Sequence, residues 1–528
     1  MDVFSQPVGY AINFLGGQQK KDDNIKYRRL KYLIDVDLEN NRKAIYNLLT
    51  SCGVVLNQDE LKQIEDFKKD SICVNYLIEN YFFVPEDYDE KAEVDRYREE
   101  SVIKKKTFLV TPTEFTILPT TDCNARCFYC FERGKKITVM TMDMANKVAD
   151  YIIDCWNKTK ETIVLRWFGG EPLYNMKAID VICKRLTENG VDFKSSIISN
   201  GYLFSEDVAI KAVNDWKMTH AQITLDGTKD VYNKTKSYIY DDENPFEVIM
   251  RNMESMLKAG FGISIRMNVG THNGDDLKEL VSYLNERFKN DMNRKFSVYA
   301  HPIFETGMDD ETKRTPEERA LVYQKLEELE QHMKSIGISL GIGRLGGLRT
   351  RHCMVDGGKA ILILPDGKLG LCEHYTDSEY FGQLGDDRES WDWEEIKSLV
   401  EQTDMLPECG DCVLYPTCYR LKKCLDEIFC DKYVVDWTMR RTIENIKAKI
   451  NSFYKNANNN CSCGNNQTPR YDLYAGKIEF NNLISFVMLQ EAKIKRISEK
   501  LGIDFSDLDK EYNEKQKKVP KQGTQDQQ

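Results

Sequence analysis

Three cysteines, Cys123, Cys127 and Cys130, stand four and three residues apart in the stretch TTDCNARCFYCFERG (120–134). Three thiolates can hold three corners of a [4Fe–4S] cube, one iron each, and leave the fourth iron open. A structural zinc ion wants four protein ligands. No fourth is well spaced nearby, because all six histidines lie at 220 or later. Zinc with a remote fourth ligand is the alternative. A second field holds Cys353, Cys372, Cys409, Cys412, Cys418, Cys424 and Cys430. Packing alone does not account for seven cysteines at these spacings; they suit two zinc sites or two further iron–sulfur clusters. Cys461 and Cys463 sit in an Asn-rich linker, as a solvated thiol pair or as extra cluster or sulfur-handling ligands. Cys52, Cys73, Cys155 and Cys183 stand alone and read as core or surface thiols.

The elements that must position these thiols alternate. Strand-like runs are EFTILP (114–119), TIVLRWF (162–168), SSIIS (195–199), AQITL (221–225), GISIRMNV (262–269) and FSVYAHP (296–302). Helical spacing of apolar residues falls between them, near 142–158, 176–188, 205–217, 246–259 and 275–289. Six such units predict a parallel α/β sheet, as a partial (β/α)6 TIM-like barrel or, as runner-up, a doubly wound sheet. The first cysteines then occupy the first loop at the C-terminal end of the strands, the reactive face of such a sheet. Thr315, Pro316 and Glu318 predict a capped helix start. PDG (365–367) predicts a hairpin turn before Cys372, and residues 433–452 predict an amphipathic helix.

The first 108 residues predict a small α+β unit, winged-helix-like, with a strand in YRRLKYLIDVDLE and helices in NQDELKQIEDFKK and SICVNYLIENYFF. The expected domains are 1–108, 109–340, 341–450 and 451–528, the last a linker, a helical extension near 477–500 and a disordered tail. A net charge of −11 argues against a nucleic-acid partner. No apolar run is long enough to span a bilayer, and no secretory signal is legible, so a cytoplasmic location is expected.

The C-x3-C-x2-C spacing, with Tyr129 before the last cysteine and a strand just upstream, resembles the signature of radical S-adenosylmethionine (SAM) enzymes. The resemblance implies a [4Fe–4S] cluster on three cysteines, with SAM on its open iron. It also implies reductive cleavage of SAM to a 5′-deoxyadenosyl radical that takes a hydrogen atom from substrate. GGEP (Gly169, Gly170, Glu171, Pro172) resembles the family's motif for the SAM amino group. SNG (Ser199, Asn200, Gly201), LDG with Thr224 and Asp226, and IRMN with Arg266 and Asn268 resemble elements facing the rest of SAM. Each of these is otherwise an ordinary strand-end turn.

The order of the second cysteine field resembles the SPASM extension, which carries two auxiliary [4Fe–4S] clusters. The resemblance implies Cys353, Cys372 and Cys424 on the first, and Cys409, Cys412, Cys418 and Cys430 on the second. The gaps around Cys424 depart from the usual pattern. The fourth ligand of the first cluster is open; substrate thiolate, His352 or Glu373 would serve. Such enzymes modify peptides or proteins. The N-terminal unit resembles the leader-binding regions of peptide maturases, which add a strand to a sheet edge. Glu373 stands where sulfatase maturases carry an Asp, a candidate catalytic base. The implied function is a peptide maturase forming a thioether from a cysteine sulfur to a carbon. Its expected partners are a cysteine-containing precursor with a leader segment and a flavodoxin- or ferredoxin-type electron donor. The alternatives are an anaerobic sulfatase-type maturase and a non-catalytic iron–sulfur or zinc protein.

Overall fold

The computed structural model describes residues 1–460, apart from 69, 109–110, 135, 241–242, 304–313, 341–344, 346, 349–352, 375–378, 402–405, 419–422, 424–429 and 431. Cys424, His352, Cys461, Cys463, the helical stretch 477–500 and the tail lie outside the described residues. The chain divides into two units. One is Met1–Val8 with Gln18–Gly464; the other is Gly9–Gly17 with Asn465–Gln528, of which the short helix Gly9–Phe14 is described.

All six expected strands form: β1 (Glu114–Ile117), β2 (Ile163–Trp167), β3 (Phe193–Ser199), β4 (Met218–Thr224), β5 (Gly262–Val269) and β6 (Phe296–Pro302). Each lies parallel to its successor. The order runs from β1 to β6 without reversal, so the sheet is singly wound and has no switch point. That excludes the doubly wound alternative.

The helices between strands form where the apolar spacing places them. Met142–Thr159 buries Ala145, Val148, Ala149, Ile152 and Cys155, one face at intervals of three and four, and Thr141 caps its start. The capping box at Thr315 and Glu318 opens the helix Pro316–Ser335. These faces pack on the sheet around Trp167, Ile197, Ile223 and Ile265.

The central sheet is larger than its six units. The hairpin of β7 (Ala360–Ile363) and β8 (Lys368–Gly370) turns at Asp366-Gly367, with Gly367 at φ +84°. β7 lies parallel to β1, and β9 (Gly382–Gln383) follows β8. All four residues of β7 are buried. A strand covered on both faces needs a sheet neighbour, and β1 supplies it.

The N-terminal residues form an antiparallel sheet in the order Asp2–Ser5, Gly53–Leu56, Arg42–Asn47, Leu33–Leu38. The expected single strand in YRRLKYLIDVDLE is broken in two. Tyr27–Arg29 pairs with Phe83–Pro85 instead, and Leu33–Leu38 is a sheet edge. Helices Gln58–Glu65, Ile72–Glu79 and Glu90–Phe108 follow. Cys52 and Cys73 lie in this unit's core; Cys155 and Cys183 lie in the central one.

The helix Lys432–Asn460 runs past its expected end. Lys334 pairs with Glu444 at 2.7 Å and Arg441 with Glu330 at 3.1 Å. Farther along, Tyr454 donates to Asp2 at 2.6 Å. No helix among the described residues is long and apolar enough to cross a membrane.

Candidate active site

The loop after β1 carries the first three cysteines. Its flanks close on each other: the Met140 N–H donates to the Pro119 carbonyl at 2.9 Å, and Thr121 to Thr138 at 3.0 Å. Its middle docks onto the end of helix Lys229–Lys236, where the Arg126 N–H donates to the Lys236 carbonyl at 2.8 Å. The Ile239 N–H donates to the Asn124 carbonyl at 3.0 Å. Cys123, Cys127 and Cys130 are half-buried on this loop. Burial pushes the Cys123 thiol up to about 12 and the Cys130 thiol up to about 11, and the neighbouring cysteines add to both shifts.

The turn after β2 lies under this loop. Gly170 donates to the Thr120 carbonyl at 3.2 Å and Glu171 to the Asp122 carbonyl at 2.8 Å. A Cβ on Gly169, at φ +122°, would meet the Thr120 carbonyl; one on Gly170 would meet that of Asp122. Both glycines are thus required by the approach of the cysteine loop's own backbone. Pro172 opens a short 3-10 turn capped by Glu171.

The Glu171 carboxylate is wholly buried. It accepts from Ser199 Oγ at 2.9 and 3.0 Å, from the Asn200 N–H at 2.9 Å and from the Leu173 N–H at 3.2 Å. Burial raises it to about 7, against the lowering effect of those donors. Asn200 Nδ2 reaches Asn124 Oδ1 at 2.6 Å and Cys123 Sγ at 3.8 Å, tying β3 to the cysteine loop.

A second buried knot joins the loop to β4 and β5. Tyr129 donates to Asp226, and Lys236 Nζ lies 2.8 Å from Asp226 and 2.7 Å from the Tyr129 hydroxyl. The Lys236 and Asp226 side chains are 4% and 0% exposed. Burial works against the Lys236 charge, but Asp226 beside it raises the ammonium well above its ordinary value. The Asn268 N–H donates to Asp226 at 3.0 Å, and Arg266 Nε donates to Asn268 Oδ1 at 2.9 Å. Thr224 is half-buried at the end of β4. Burial, with Arg266 nearby, lowers His301 on β6 to about 4, so it is neutral at pH 7.

The second cysteine field meets this site at His374, two residues after Cys372. The His374 ring lies 4.8 Å from that of Phe131, next to Cys130, and Phe131 stacks on Phe168 at 6.4 Å. Glu373 Oε2 is buried and takes no hydrogen bond among the described residues. Cys409, Cys412 and Cys418 form a separate group, close enough that Cys409 and Cys418 add to the upward shift that burial gives Cys412. Cys353 is exposed and Cys430 half-buried.

Residues 117–284 match the model of the radical SAM superfamily. The chain carries a radical SAM domain. A 94-residue stretch is 30% identical to an uncharacterized protein of Methanocaldococcus jannaschii, covering 17% of this chain and 32% of that protein, about a third of its length. Among solved structures, native anSMEcpe with bound AdoMet is 18% identical, covering 65% of this chain and 100% of that one, TM-score 0.46. Streptococcus suis SuiB bound to precursor peptide SuiA is 14% identical, covering 77% and 97%, TM-score 0.44.

The radical SAM family implies a [4Fe–4S] cluster and SAM; the donor chemistry of the loop fits them, while among the described residues no three His, Cys, Asp or Glu side chains are gathered as they would be around a metal ion. Three thiols share one loop, and their raised affinity for protons means that a metal centre must displace those protons to bind. Two glycines hold that loop against the turn after β2.

Sequence reasoning did not single out Lys236, and it named Tyr129 only as the aromatic of the cysteine signature. Lys236 sits in a run of polar residues, KDVYNKTKSY, that reads as a solvated helix face. Its burial comes from the cysteine loop, more than 100 residues upstream, and no local pattern carries that.

Proposed function

We propose that the chain is a radical SAM peptide maturase, with a peptide-recognition domain at 1–108, the radical SAM core at 109–340, a SPASM-type domain at 341–450 and an extension at 451–528. Cys123, Cys127 and Cys130 would hold the family's cluster. Gly169 to Pro172, Ser199, Asn200, Thr224, Asp226, Arg266 and Asn268 would shape the SAM site around it. When bound there, cluster and SAM together supply hydrogen-atom abstraction from the substrate.

The observation that carries the reading is the placement of Glu373. Its buried, unbonded Oε2 lies on the segment whose His374 ring is tilted against that of Phe131 in the cysteine loop, centroids 4.8 Å apart. A carboxylate there would take the proton of a substrate thiol as its sulfur joins the carbon from which the hydrogen atom was taken, and the one electron left over would pass to an oxidised auxiliary cluster. Cys353, Cys372 and Cys424 would hold one auxiliary cluster, and Cys409, Cys412, Cys418 and Cys430 the other. Leu33–Leu38 is the edge of its sheet among the described residues and would offer backbone groups to a leader segment, as a winged-helix-like recognition unit would. A flavodoxin- or ferredoxin-type protein would deliver electrons.

The test is anaerobic incubation with SAM, a reductant and any short cysteine-containing peptide encoded beside this gene. A thioether-bearing product, lighter by one H2 and located by tandem mass spectrometry, supports the reading. An unchanged peptide alongside oxidation of a sulfatase-derived peptide contradicts it.

A further inference from the structure

The N-terminal helix Glu90–Phe108 is charged throughout and reads as solvated, yet its inner face grips the Cys409–Cys418 loop. Arg98 Nη2 donates to the Cys418 carbonyl at 2.7 Å and to the Tyr415 carbonyl at 3.0 Å. The same guanidinium lies over the Tyr415 ring, 4.0 Å from its centroid. The Tyr415 hydroxyl donates to Asp95, one turn earlier on the helix. From the neighbouring chain segment, the buried Tyr32 hydroxyl donates to the Gly410 carbonyl at 3.0 Å, and Lys31 pairs with Asp411 at 2.7 Å. The helix is itself anchored: Glu90, 3% exposed, receives Arg28 at 2.9 and 2.6 Å and the Lys31 N–H at 3.2 Å.

We propose that Arg98 is a positioning residue for an iron–sulfur cluster on Cys409, Cys412 and Cys418, so that the N-terminal unit builds that site as well as serving peptide recognition. The inference rests on the SPASM-type reading above. The loop spanning these cysteines is short and has little regular structure: one 3-10 turn, Pro407–Asp411, and backbone turns such as Cys418 N–H to the Leu414 carbonyl at 2.9 Å. Its two ends are fixed from outside, at Gly410 by Tyr32 and at Tyr415 and Cys418 by Arg98. A cation bonded to the carbonyl of a ligating cysteine also favours the more negative, reduced state of the cluster nearby. Deleting residues 1–105 therefore removes the support of this loop together with the leader-binding edge, and loss of function in that truncation reports both.

The experiment uses the full chain, reconstituted anaerobically, as wild type, Arg98→Ala, Arg98→Lys and the pair Cys409→Ala/Cys412→Ala. Iron per chain, electron paramagnetic resonance of the reduced protein, cluster midpoint potentials and circular dichroism are measured on each. Wild type should hold roughly 12 iron and the cysteine pair roughly 8. Arg98→Ala should fall toward the cysteine pair in iron while keeping the signal that responds to SAM. Arg98→Lys should keep the iron and shift the potential of one cluster, which a merely structural role would not do. Full iron with unchanged potentials in both Arg98 variants overturns the inference and leaves the auxiliary site standing. Equal iron in wild type and the cysteine pair overturns the auxiliary reading itself.

Discussion

Ser199 on β3 donates its hydroxyl to both carboxylate oxygens of Glu171, at 2.9 and 3.0 Å, beneath the cysteine loop. Both oxygens also accept backbone N–H groups, from Leu173 and Asn200. Gln at 171 would turn an NH2 group toward one of those donors. Glu171→Gln should destabilise the metal-free chain by about 1–3 kcal/mol, read by urea denaturation. The raised value sets a pH dependence. The folded chain holds this proton up to about 7, while the unfolded chain releases it near 4.5. The proton's contribution to stability is full below 4.5 and is lost as pH rises through 7. The difference between wild type and Glu171→Ala should therefore shift by up to about 3 kcal/mol against wild type between pH 4 and 8.

Lys236 and Asp226 form an ion pair with almost no access to water. Lys236→Met strands the Asp226 carboxylate in the core and should cost about 3–5 kcal/mol. The double variant Lys236→Met/Asp226→Asn should recover part of that, since it removes the stranded charge. Equal stability of wild type and Lys236→Met in urea melts would contradict the buried pair.

Gly170 has no room for a side chain against the Asp122 carbonyl, which is backbone and cannot swing away. Gly170→Ala should displace the start of the cysteine loop. Iron bound at Cys123, Cys127 and Cys130 should fall sharply after reconstitution, with secondary structure by circular dichroism retained. Unchanged iron content would show that the loop tolerates the shift.

The strand–helix alternation, the cysteine spacing and the helix starts were legible because each is written in neighbouring residues. Thr315 and Glu318 close a capping box as read. Two relationships were not legible. β7 pairs in parallel with β1 across some 240 residues of chain, and the only local sign is an unbroken apolar run, AILI. Arg98, Asp95 and Lys236 read as surface charges; their partners come from distant loops, and no periodicity encodes such a meeting. Glu171, read within GGEP, takes protein donors on both carboxylate oxygens, and those partners at the end of β3 and after Pro172 were not legible either.

Glu373 precedes His374, whose ring is tilted against that of Phe131 in the cysteine loop, centroids 4.8 Å apart. As the proposed base toward substrate, it would be dispensable for SAM cleavage. Glu373→Gln should keep 5′-deoxyadenosine formation and lower modified peptide by roughly 100-fold or more. Equal loss of both products would place Glu373 in the cofactor site instead.

The central claim is that Cys123, Cys127 and Cys130 hold a cluster with one iron open to SAM. Its direct test is the electron paramagnetic resonance spectrum of the reduced, reconstituted chain in which every cysteine of the second field is replaced by alanine, recorded with and without SAM. The account predicts a [4Fe–4S]+ signal whose g values move on adding SAM, with 5′-deoxyadenosine formed, and no such signal once Cys127→Ala is added. A cluster signal indifferent to SAM, or one that survives Cys127→Ala, would contradict it.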